Sequence, residues 1–534
     1  MKTFFLTICI LISIAGSAQK YNYLDPDIDV QHYHFDVSIN DESNEIEATV
    51  LIRFIALKDL NQVQFDLVEK KPNGKGMSVS SVTINDTSSG FVHRDNRLLI
   101  SLGSGIKPQQ ELKAEIKYRG VPADGLIIST NKYNKRTFFS DNWPNRAHNW
   151  LATVDHPSDK ASVDWTITAP AKYQVISNGI QVEESNLPGN KKRTRYSEKI
   201  PLPTKVMVVG LAEFSVQRIG EVNCIPVSSW VYMEERDKGT VDYEAALEIL
   251  PFFIRHLGPY AYGKLANVQS KTVFGGMENA SAIFYYENSV TGKANKEGLI
   301  AHEIAHQYFG NMATEIHWSH LWLSEGFATY YSNLYLQSRY GADTLISIMK
   351  EDRNKVVQYY RKRQTPVVDT TVVNYMEMLN ANSYDKASWV LQMLRADMGD
   401  SVFMKTVRTY YQQFAGKNAA TEDFRKIAEK ETGKNYQTFF NQWLFTAGHP
   451  DLDITWKYQN DKKQMEIELI QKQPSPFQFP LDLLITDFNG NKTIKTLQIK
   501  QIKERFTLPL PSRPKSLEPD PETKLLFEGK LKAI

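Results

Sequence analysis

The hydrophobic periodicity of this chain changes twice, and these changes constrain the fold more than any other feature. From about residue 30 to 215, apolar and polar residues alternate, as in 46–54, which is typical of half-buried antiparallel strands. From about residue 240, apolar residues recur at spacings of three and four, as in 245–253, which indicates amphipathic helices. Alternation returns after residue 449. We therefore predict a multidomain α+β protein with an amino-terminal antiparallel β domain, a mainly helical centre and a small carboxy-terminal β-sandwich.

The same changes of pattern set the predicted domain boundaries. We place the β domain at 19–217, the helical domain at 218–449 and the β-sandwich at 450–534. A chain of 534 residues is long enough for three domains with cores of their own. Its net charge of +2, without a long basic block, gives no reason to expect a nucleic-acid partner.

Residues 1–18 have the composition of a cleavable secretory signal. Lys2 is followed by an apolar run at 4–14 and by small residues at 15–18. The run is shorter than the ~20 residues that a membrane span needs, so a membrane anchor is the less favoured alternative. Removal of this segment, which contains Cys9, would leave Cys224 as the single cysteine and no internal disulfide. We expect an exported protein, periplasmic or secreted, with no membrane span in the mature chain.

The helical centre contains the sequence His302-Glu303-Ile304-Ala305-His306. Residues four apart share one face of a helix, so both imidazoles can bind one ion while Glu303 lies beside a metal-activated water. A catalytic zinc usually has three protein ligands, and Glu325 lies in a second predicted helix. We predict one Zn²⁺ per chain, bound by His302, His306 and Glu325, with Glu303 as the general base. The alternative is an exposed helix that carries two ordinary histidines.

Two more histidines, His317 and His320, lie between the two predicted helices. Imidazole is a common metal ligand, so either residue competes with Glu325 for the third position. Histidines in connecting segments more often cap a helix or border the core. We therefore prefer Glu325.

A glycine-rich segment, Gly275-Gly276-Met277-Glu278-Asn279, precedes the histidine motif. Paired glycines let a backbone approach another chain closely, so a peptide could lie along them as an added strand. The Glu278 carboxylate could bind an ammonium group, and Met277 is placed near the pocket for the first side chain. A cation anchor beside the metal would select peptides by their free amino terminus.

Four segments together resemble the gluzincin aminopeptidases of the M1 class: 275–279, 302–311, 322–328 and 383–386. The order of the predicted domains is similar to that family, which implies a thermolysin-like catalytic domain at the centre. The resemblance implies zinc-dependent hydrolysis of the amino-terminal residue from peptides by metal-activated water. It also implies that Tyr384 stabilises the oxyanion of the tetrahedral intermediate.

The sequence departs from the family pattern in two places. In the family, a Gln or Glu of the amino-terminal domain helps to hold the substrate amine, whereas residues 140–144 read Ser-Asp-Asn-Trp-Pro. Asp141 is the candidate replacement. Larger members also end in a helical domain that covers the cleft, and no counterpart follows the predicted β-sandwich, so we expect a more open cleft.

Three other functions compete with this interpretation. A zinc endopeptidase would use the same water chemistry without recognising an amine. A related branch of the family opens a lipid epoxide, but the acidic residue it uses would fall at Met376, with Glu377 as the nearest carboxylate. A non-catalytic scaffold would usually have lost a metal ligand or the base, and all of these residues are present.

Overall fold

The computed structural model describes residues 27–534. The predicted signal segment, 1–18, lies outside the described residues. Within 27–534, no helix has both the length and the apolar content to cross a membrane. The described chain has strands first, helices next and strands again at the end. This order confirms the predicted α+β class.

The described part of the amino-terminal region is built from fifteen strands. In chain order, β1 to β15 are Ile28–Ser38, Ile46–Ala56, Leu60–Asp66, Gly76–Ile84, Thr87–Ser88, Phe91–Arg94, Arg97–Ile106, Glu111–Val121, Leu126–Thr130, Arg136–Ser140, Lys160–Pro170, Gln174–Ser177, Ile180–Leu187, Lys191–Pro203 and Val209–Ala212. Eight of them form one sheet in the order β13-β14-β11-β1-β2-β8-β4-β5. Its neighbours are antiparallel except for the parallel pair β1 and β11. Sheets β12-β15-β10-β9 and β3-β7-β6 complete the region.

Alternating burial explains why these segments form strands. In β2, the side chains of Val50, Ile52 and Phe54 are fully buried, while Arg53 between them is exposed. One face of the strand therefore packs into the core, and the other face meets water or polar neighbours. The period-two pattern at 46–54 predicted this strand.

A five-stranded sheet joins the amino-terminal region to the helices. Its strands β16 to β20 are Phe214–Val222, Ile225–Tyr232, Leu265–Ser270, Gly276–Met277 and Ala282–Tyr286. They lie in the order β16-β17-β18-β20-β19, so β19 forms one edge. The predicted domain boundary at 217/218 falls inside β16, and the domain limits remain predictions.

Helices make up most of the following region. The α-helices α1 to α9 are Arg236–Tyr243, Ala246–Leu257, Glu297–His306, Trp322–Tyr340, Ala342–Lys362, Ala387–Met398, Asp400–Phe414, Thr421–Thr432 and Gln437–Phe440. Two π-helical turns are Asn382–Lys386 and Asn441–Phe445. Two short parallel strands, β21 (Ala313–Glu315) and β22 (Lys417–Ala419), pair beside them. The helix predicted from 245–253 corresponds to α2.

The carboxy-terminal region consists of two small sheets. Its strands β23 to β29 are Asp451–Gln459, Gln464–Gln471, Phe479–Thr486, Lys492–Ile499, Lys503–Pro509, Ser516–Pro519 and Glu528–Ala533. Four strands form the sheet β27-β24-β23-β29, and three form the sheet β26-β25-β28. Ile454, Leu469, Leu481 and Leu483 are buried, while the residues on either side of each along its strand are more exposed. Strands appear where the sequence predicted the β-sandwich.

Candidate metal centre

Helix α3 places His302 and His306 on one face, as their four-residue spacing requires. Their Nε2 atoms are 3.0 Å apart. Helix α4 brings Glu325 to the same point, where its Oε2 atom lies 3.1 Å from Nε2 of His306 and 3.4 Å from Nε2 of His302. The three predicted ligands therefore converge, and the histidine pair is not a pair of ordinary surface residues.

The spacing of these three atoms fits a zinc ion. In tetrahedral coordination with bonds of about 2.0–2.1 Å, ligand atoms lie roughly 3.3 Å apart. The three observed separations, 3.0, 3.1 and 3.4 Å, lie close to this value. Two imidazole nitrogens and one carboxylate oxygen also form a usual donor set for a catalytic zinc.

Neighbouring groups orient His306. Its Nδ1 atom lies 3.1 Å from the carbonyl oxygen of Phe309 and 3.2 Å from Oγ of Ser324. Donation from Nδ1 to this carbonyl leaves a lone pair on Nε2 for a metal. Burial lowers the pKa of His306, but the carboxylates of Glu325 and Glu278 outweigh this effect and raise the pKa to about 10. A bound cation would replace that proton.

Glu303 lies beside the ligands without joining them. A Cβ atom placed on Gly276 would lie within 2.2 Å of its Oε1 atom, so the carboxylate needs a glycine at that position. This contact joins α3 to the edge strand β19. Burial raises the pKa of Glu303 well above its ordinary value, against the opposing charge of His306. A carboxylate with a raised pKa is suited to accept and return a proton.

The Glu278 carboxyl group forms a second acidic position in the site. The backbone carbonyl of Glu278 accepts hydrogen bonds from Gln307 Nε2 at 2.9 Å and from Asn311 Nδ2 at 2.6 Å. These contacts fix the segment after β19. Oε1 of Glu278 is buried and has no hydrogen-bond partner among residues 27–534, and burial raises the pKa of this carboxyl. Gln307 and Asn311 belong to the segment 302–311 that contains the histidine motif, but no local pattern predicts that their side chains also hold the backbone of Glu278.

Tyr384 reaches the centre from the π-helical turn Asn382–Lys386. Its ring lies nearly parallel to that of His302, with centroids 6.0 Å apart. Gly326 of α4 lets this turn come close, because a Cβ atom there would lie 2.4 Å from Cβ of Ala387. Burial and the neighbouring carboxylate of Glu325 raise the pKa of Tyr384 well above its ordinary value. The hydroxyl is therefore protonated and can donate a hydrogen bond.

Two of the three predicted ligands, His302 and Glu325, border a cavity of about 420 Å³ together with Glu303. Its lining also contains Gly275, Gly276, Met277, Glu278 and Tyr384. Asn279 is buried but does not belong to this lining. A larger cavity of about 640 Å³ lies between the helical and carboxy-terminal regions, with none of the metal ligands in its lining. Volume alone therefore does not identify the site.

Asp141 does not fill the place proposed for a second amine anchor. It is fully buried, with Oδ1 2.6 Å from Arg146 Nη2 and Oδ2 accepting from the Thr272 hydroxyl at 3.1 Å. These bonds fix the segment before Gly275, because Asp141 also accepts from the amide of Val273 at 3.3 Å. The carboxylate is thus occupied inside the protein.

The amino-terminal region contributes Trp143 to the cavity instead. Trp143 could not be predicted as a cavity residue from the sequence, because the Trp143-Pro144 pair gives no sign of where the indole lies. Leu299 and Leu379 were missed for the same reason. Both are partly buried and also line the cavity.

The remaining candidates lie elsewhere. Nδ1 of His317 accepts from the amide of Ser319 at 3.2 Å, as a cap, and Nδ1 of His320 lies 2.8 Å from the Thr421 hydroxyl. Neither joins the converging set of His302, His306 and Glu325 among the described residues. Glu377 is exposed, and its Oε2 atom lies 2.8 Å from Nη1 of Arg363.

The fold and the site define a class: a multidomain protein whose metal centre combines two histidines of one helix with a carboxylate of the next. The family model described as the Peptidase family M1 domain matches residues 241–443, and the Peptidase M1 N-terminal domain matches residues 29–206. The chain belongs to peptidase family M1.

Curated relatives from distant organisms are similar over most of the chain. Aminopeptidase M1-A of Oryza sativa subsp. japonica is 25% identical over 464 residues, which are 83% of this chain and 51% of that protein. Probable aminopeptidase 2 of Sulfurisphaera tokodaii is 25% identical over 492 residues, or 87% of this chain and 59% of that protein. The chain thus spans only between half and three fifths of the length of these two relatives.

A crystal structure of an M1 zinc metallopeptidase mutant from Deinococcus radiodurans has a similar fold. The TM-score is 0.67 at 20% sequence identity, and the likeness covers 78% of this chain and 94% of that one. At this identity, the likeness concerns the fold alone.

Proposed function

We propose that this protein is a zinc-dependent aminopeptidase that hydrolyses the amino-terminal residue from peptides. The observation that carries the proposal is the buried Oε1 atom of Glu278, which has no hydrogen-bond partner among the described residues. Glu278 lines the same cavity as His302, Glu325 and Glu303. An unpaired buried carboxylate is costly. The α-ammonium group of a peptide would pair with it.

The chain's own residues would share the chemical steps as follows. A zinc ion held by His302, His306 and Glu325 would polarise the attacking water and the scissile carbonyl. Glu303 would accept a proton from the water as its oxygen bonds to the carbonyl carbon, and would return it to the leaving nitrogen as the C–N bond breaks. The Tyr384 hydroxyl would donate a hydrogen bond to the oxygen that becomes negatively charged.

The edge strand β19 supports binding of an extended peptide. Gly276 and Met277 pair with β20 on one side, and no strand of the described chain lies beside β19 on the other. A peptide could hydrogen-bond to this free edge as an added strand. Its first residue would then lie beside Glu278.

One assay separates the aminopeptidase from its nearest rival. The purified protein is given one peptide with a free and with an acetylated amino terminus, each with and without a metal chelator. We expect release of the first residue from the free peptide alone, loss of activity with chelator, and one zinc per active chain. Equal cleavage of both forms would indicate an endopeptidase. No cleavage of varied peptides by the zinc-loaded protein would favour a scaffold.

We also propose that the protein is exported, to the periplasm or the medium. The support is the sequence of residues 1–18, with its short apolar run and small residues before Gln19. Amino-terminal sequencing of the protein recovered from outside the cytoplasm should begin at Gln19. Recovery with Met1 in place would contradict cleavage.

A further inference from the structure

We propose that Trp143 is a specificity-determining residue, and that this site selects peptides whose first side chain is large and apolar and rejects acidic ones. The inference rests on the proposed function, because it requires the first residue of a peptide to enter the cavity beside Glu278. It extends that function by naming a substrate class and the residue that selects it.

Trp143 lines the cavity, next to the segment that carries Glu278. Among the described residues, it is the only one from the amino-terminal region that lines the cavity. It meets Phe274, which lies just before Gly275, with ring centroids 5.8 Å apart and the rings nearly perpendicular. The indole therefore borders the place where the segment that carries Glu278 enters the site.

The indole ring is rigidly packed. Trp143 is only 2% exposed, and its second aromatic neighbour, Trp318, packs edge-to-face at 5.5 Å. Its backbone carbonyl accepts a hydrogen bond from Arg146 Nε at 2.8 Å, and Arg146 is itself paired with Asp141. Within the part of the chain that the structure describes, the indole Nε1–H has no hydrogen-bond partner. Packing alone holds the ring, which makes it a fixed wall rather than a movable lid.

The apolar wall continues around the cavity. Phe274, Met277, Leu299 and Leu379 line it together with Trp143. A large aliphatic or aromatic first side chain would remove apolar surface of its own and of this wall from water. A first side chain as small as that of alanine would leave much of the wall uncovered.

The charged residues that line the cavity disfavour an acidic first side chain. No lysine or arginine belongs to the lining in the part of the chain that the structure describes, whereas Glu278, Glu303 and Glu325 do. Zinc and the substrate ammonium are the cations that these carboxylates would balance. An acidic first side chain would lose water and meet three carboxylates without a cation of its own, which is unfavourable.

The test measures kcat/KM on aminoacyl 4-methylcoumaryl amides of Ala, Leu, Phe and Glu with the zinc-loaded protein. We expect Leu and Phe to exceed Ala by roughly 10-fold, in line with the selectivity of apolar pockets, and Glu to be the poorest substrate by roughly 100-fold or more. A Glu substrate that matches Leu would overturn the inference and leave the aminopeptidase function intact. No turnover of any free-amine substrate would instead count against the function itself.

Two substitutions at Trp143 distinguish the contribution of its ring surface to selectivity from that of its N–H group. Trp143→Phe keeps an aromatic wall and removes only an unpartnered donor, so the ratio of Phe to Ala turnover should stay within about 2-fold of wild type. Trp143→Ala removes the wall, and this ratio should fall roughly 10-fold. Thermal unfolding and zinc content show whether each variant is folded and loaded. An unchanged ratio in a folded, zinc-loaded Trp143→Ala would overturn the role of this residue.

A variant that gains activity on the Glu substrate tests whether the missing cation is the reason that acidic side chains are rejected. Leu379→Lys would add the missing cation to the lining, and Leu379→Met is the matched control without charge. The ratio of Glu to Leu turnover should rise at least 10-fold in the lysine variant and stay near wild type in the methionine variant. Equal ratios in the two folded variants would overturn the charge argument.

Discussion

At the scale of single residues, two buried carboxylates, Glu303 and Glu278, define the site. Each depends on an absence: a side chain at position 276 for Glu303, and a hydrogen-bond partner in the described chain for one oxygen of Glu278. The carboxylate of Glu303 would clash with any side chain at position 276, which is a glycine. Glu278 is buried, and one of its carboxylate oxygens has no hydrogen-bond partner in the described chain, although unpaired buried polar atoms are normally avoided. These two carboxylates have separate tasks in the proposed mechanism, since one handles protons and the other binds an amine.

Replacing Glu303 by glutamine tests the proton-transfer task. The side chain keeps its size but can no longer accept a proton, so kcat should fall by ~10²-fold or more. Zinc content should not change, because Glu303 is not one of the three converging ligands. Metal analysis and steady-state kinetics on the same preparation measure both effects. Glu325→Gln is the contrasting variant, in which zinc binding itself should weaken, and wild-type turnover by Glu303→Gln would exclude the assigned role.

At the scale of elements, the π-helical turn Asn382–Lys386 positions Tyr384. Such turns are rare in regular helices and occur frequently at functional sites. Asn382 ties the turn to the preceding loop, donating to the carbonyl oxygen of Thr365 at 2.9 Å. On another side, Lys355 of α5 lies 2.9 Å from Oδ1 of Asp352 and 3.3 Å from Oδ1 of Asp385.

Removal of the Lys355 charge should disturb this turn. In Lys355→Met, the carboxyl groups of Asp352 and Asp385 would face each other without a cation, and the turn with Tyr384 would shift. We expect kcat to fall roughly 10-fold with a smaller change in KM, since small displacements of catalytic groups are costly. Lys350→Met, at an exposed position on the same helix, is the matched control. Equal kinetics of the two variants would contradict a positioning role.

The same turn carries a buried lysine that makes stability depend on pH. Lys386 is 1% exposed, and its Nζ atom donates a long hydrogen bond of 3.4 Å to the carbonyl oxygen of Thr446. Burial lowers the pKa of Lys386 from 10.5 to about 7. Between these two values the unfolded chain binds a proton that the folded chain does not, so the contribution of Lys386 to stability rises with pH.

Comparison with Lys386→Met isolates this contribution. Methionine does not titrate, so the wild-type midpoint of thermal unfolding should rise relative to that of the variant as the pH increases from 7 to 9.5. Lys350→Met again serves as the exposed control, and its unfolding midpoint should differ from that of wild type by the same amount at each pH. A pH-independent difference between wild type and Lys386→Met would show that Lys386 stays charged in the folded protein.

At the scale of the whole molecule, a buried ion pair joins the amino-terminal and helical regions. Lys205 comes from the turn Thr204–Val206 after β14, and Glu315 comes from β21. Nζ of Lys205 lies 2.5 Å from Oε1 of Glu315, and both side chains are at most 1% exposed. Lys205 also lies over the ring of Trp318 at 5.5 Å, the residue that packs against Trp143. The pair thus lies behind the wall of the cavity.

Breaking this pair should destabilise the joint between the two regions. Lys205→Met leaves a buried carboxylate without its cation, a change that typically costs about 3–5 kcal/mol. Thermal unfolding should begin at a lower temperature. The double variant Lys205→Met/Glu315→Gln has no uncompensated charge at this pair, so it should lose less thermal stability than the single variant. Equal losses would show that the geometry of the pair, rather than its charge, stabilises the joint.

The sequence by itself determined the order of strands and helices and pointed to the three residues that converge as candidate metal ligands. Period-two and period-three-to-four patterns report which face of each element is buried, and that information is local. The spacing of His302 and His306 fixes their common face for the same reason, because a helix has one geometry. The motif around Glu278 was also readable, since its glycines and carboxylate are adjacent in the chain.

Only the tertiary structure decided what the amino-terminal region brings to the cavity. Asp141 and Trp143 are two positions apart, and nothing local distinguishes the side chain that pairs inside the protein from the one that borders the cavity. Arg146 and the backbone before Gly275 engage Asp141, whereas the rings of Phe274 and Trp318 pack against Trp143. Phe274 and Trp318 are more than a hundred residues away in sequence. Contacts at such separations depend on how sheets and helices pack, which no local pattern encodes.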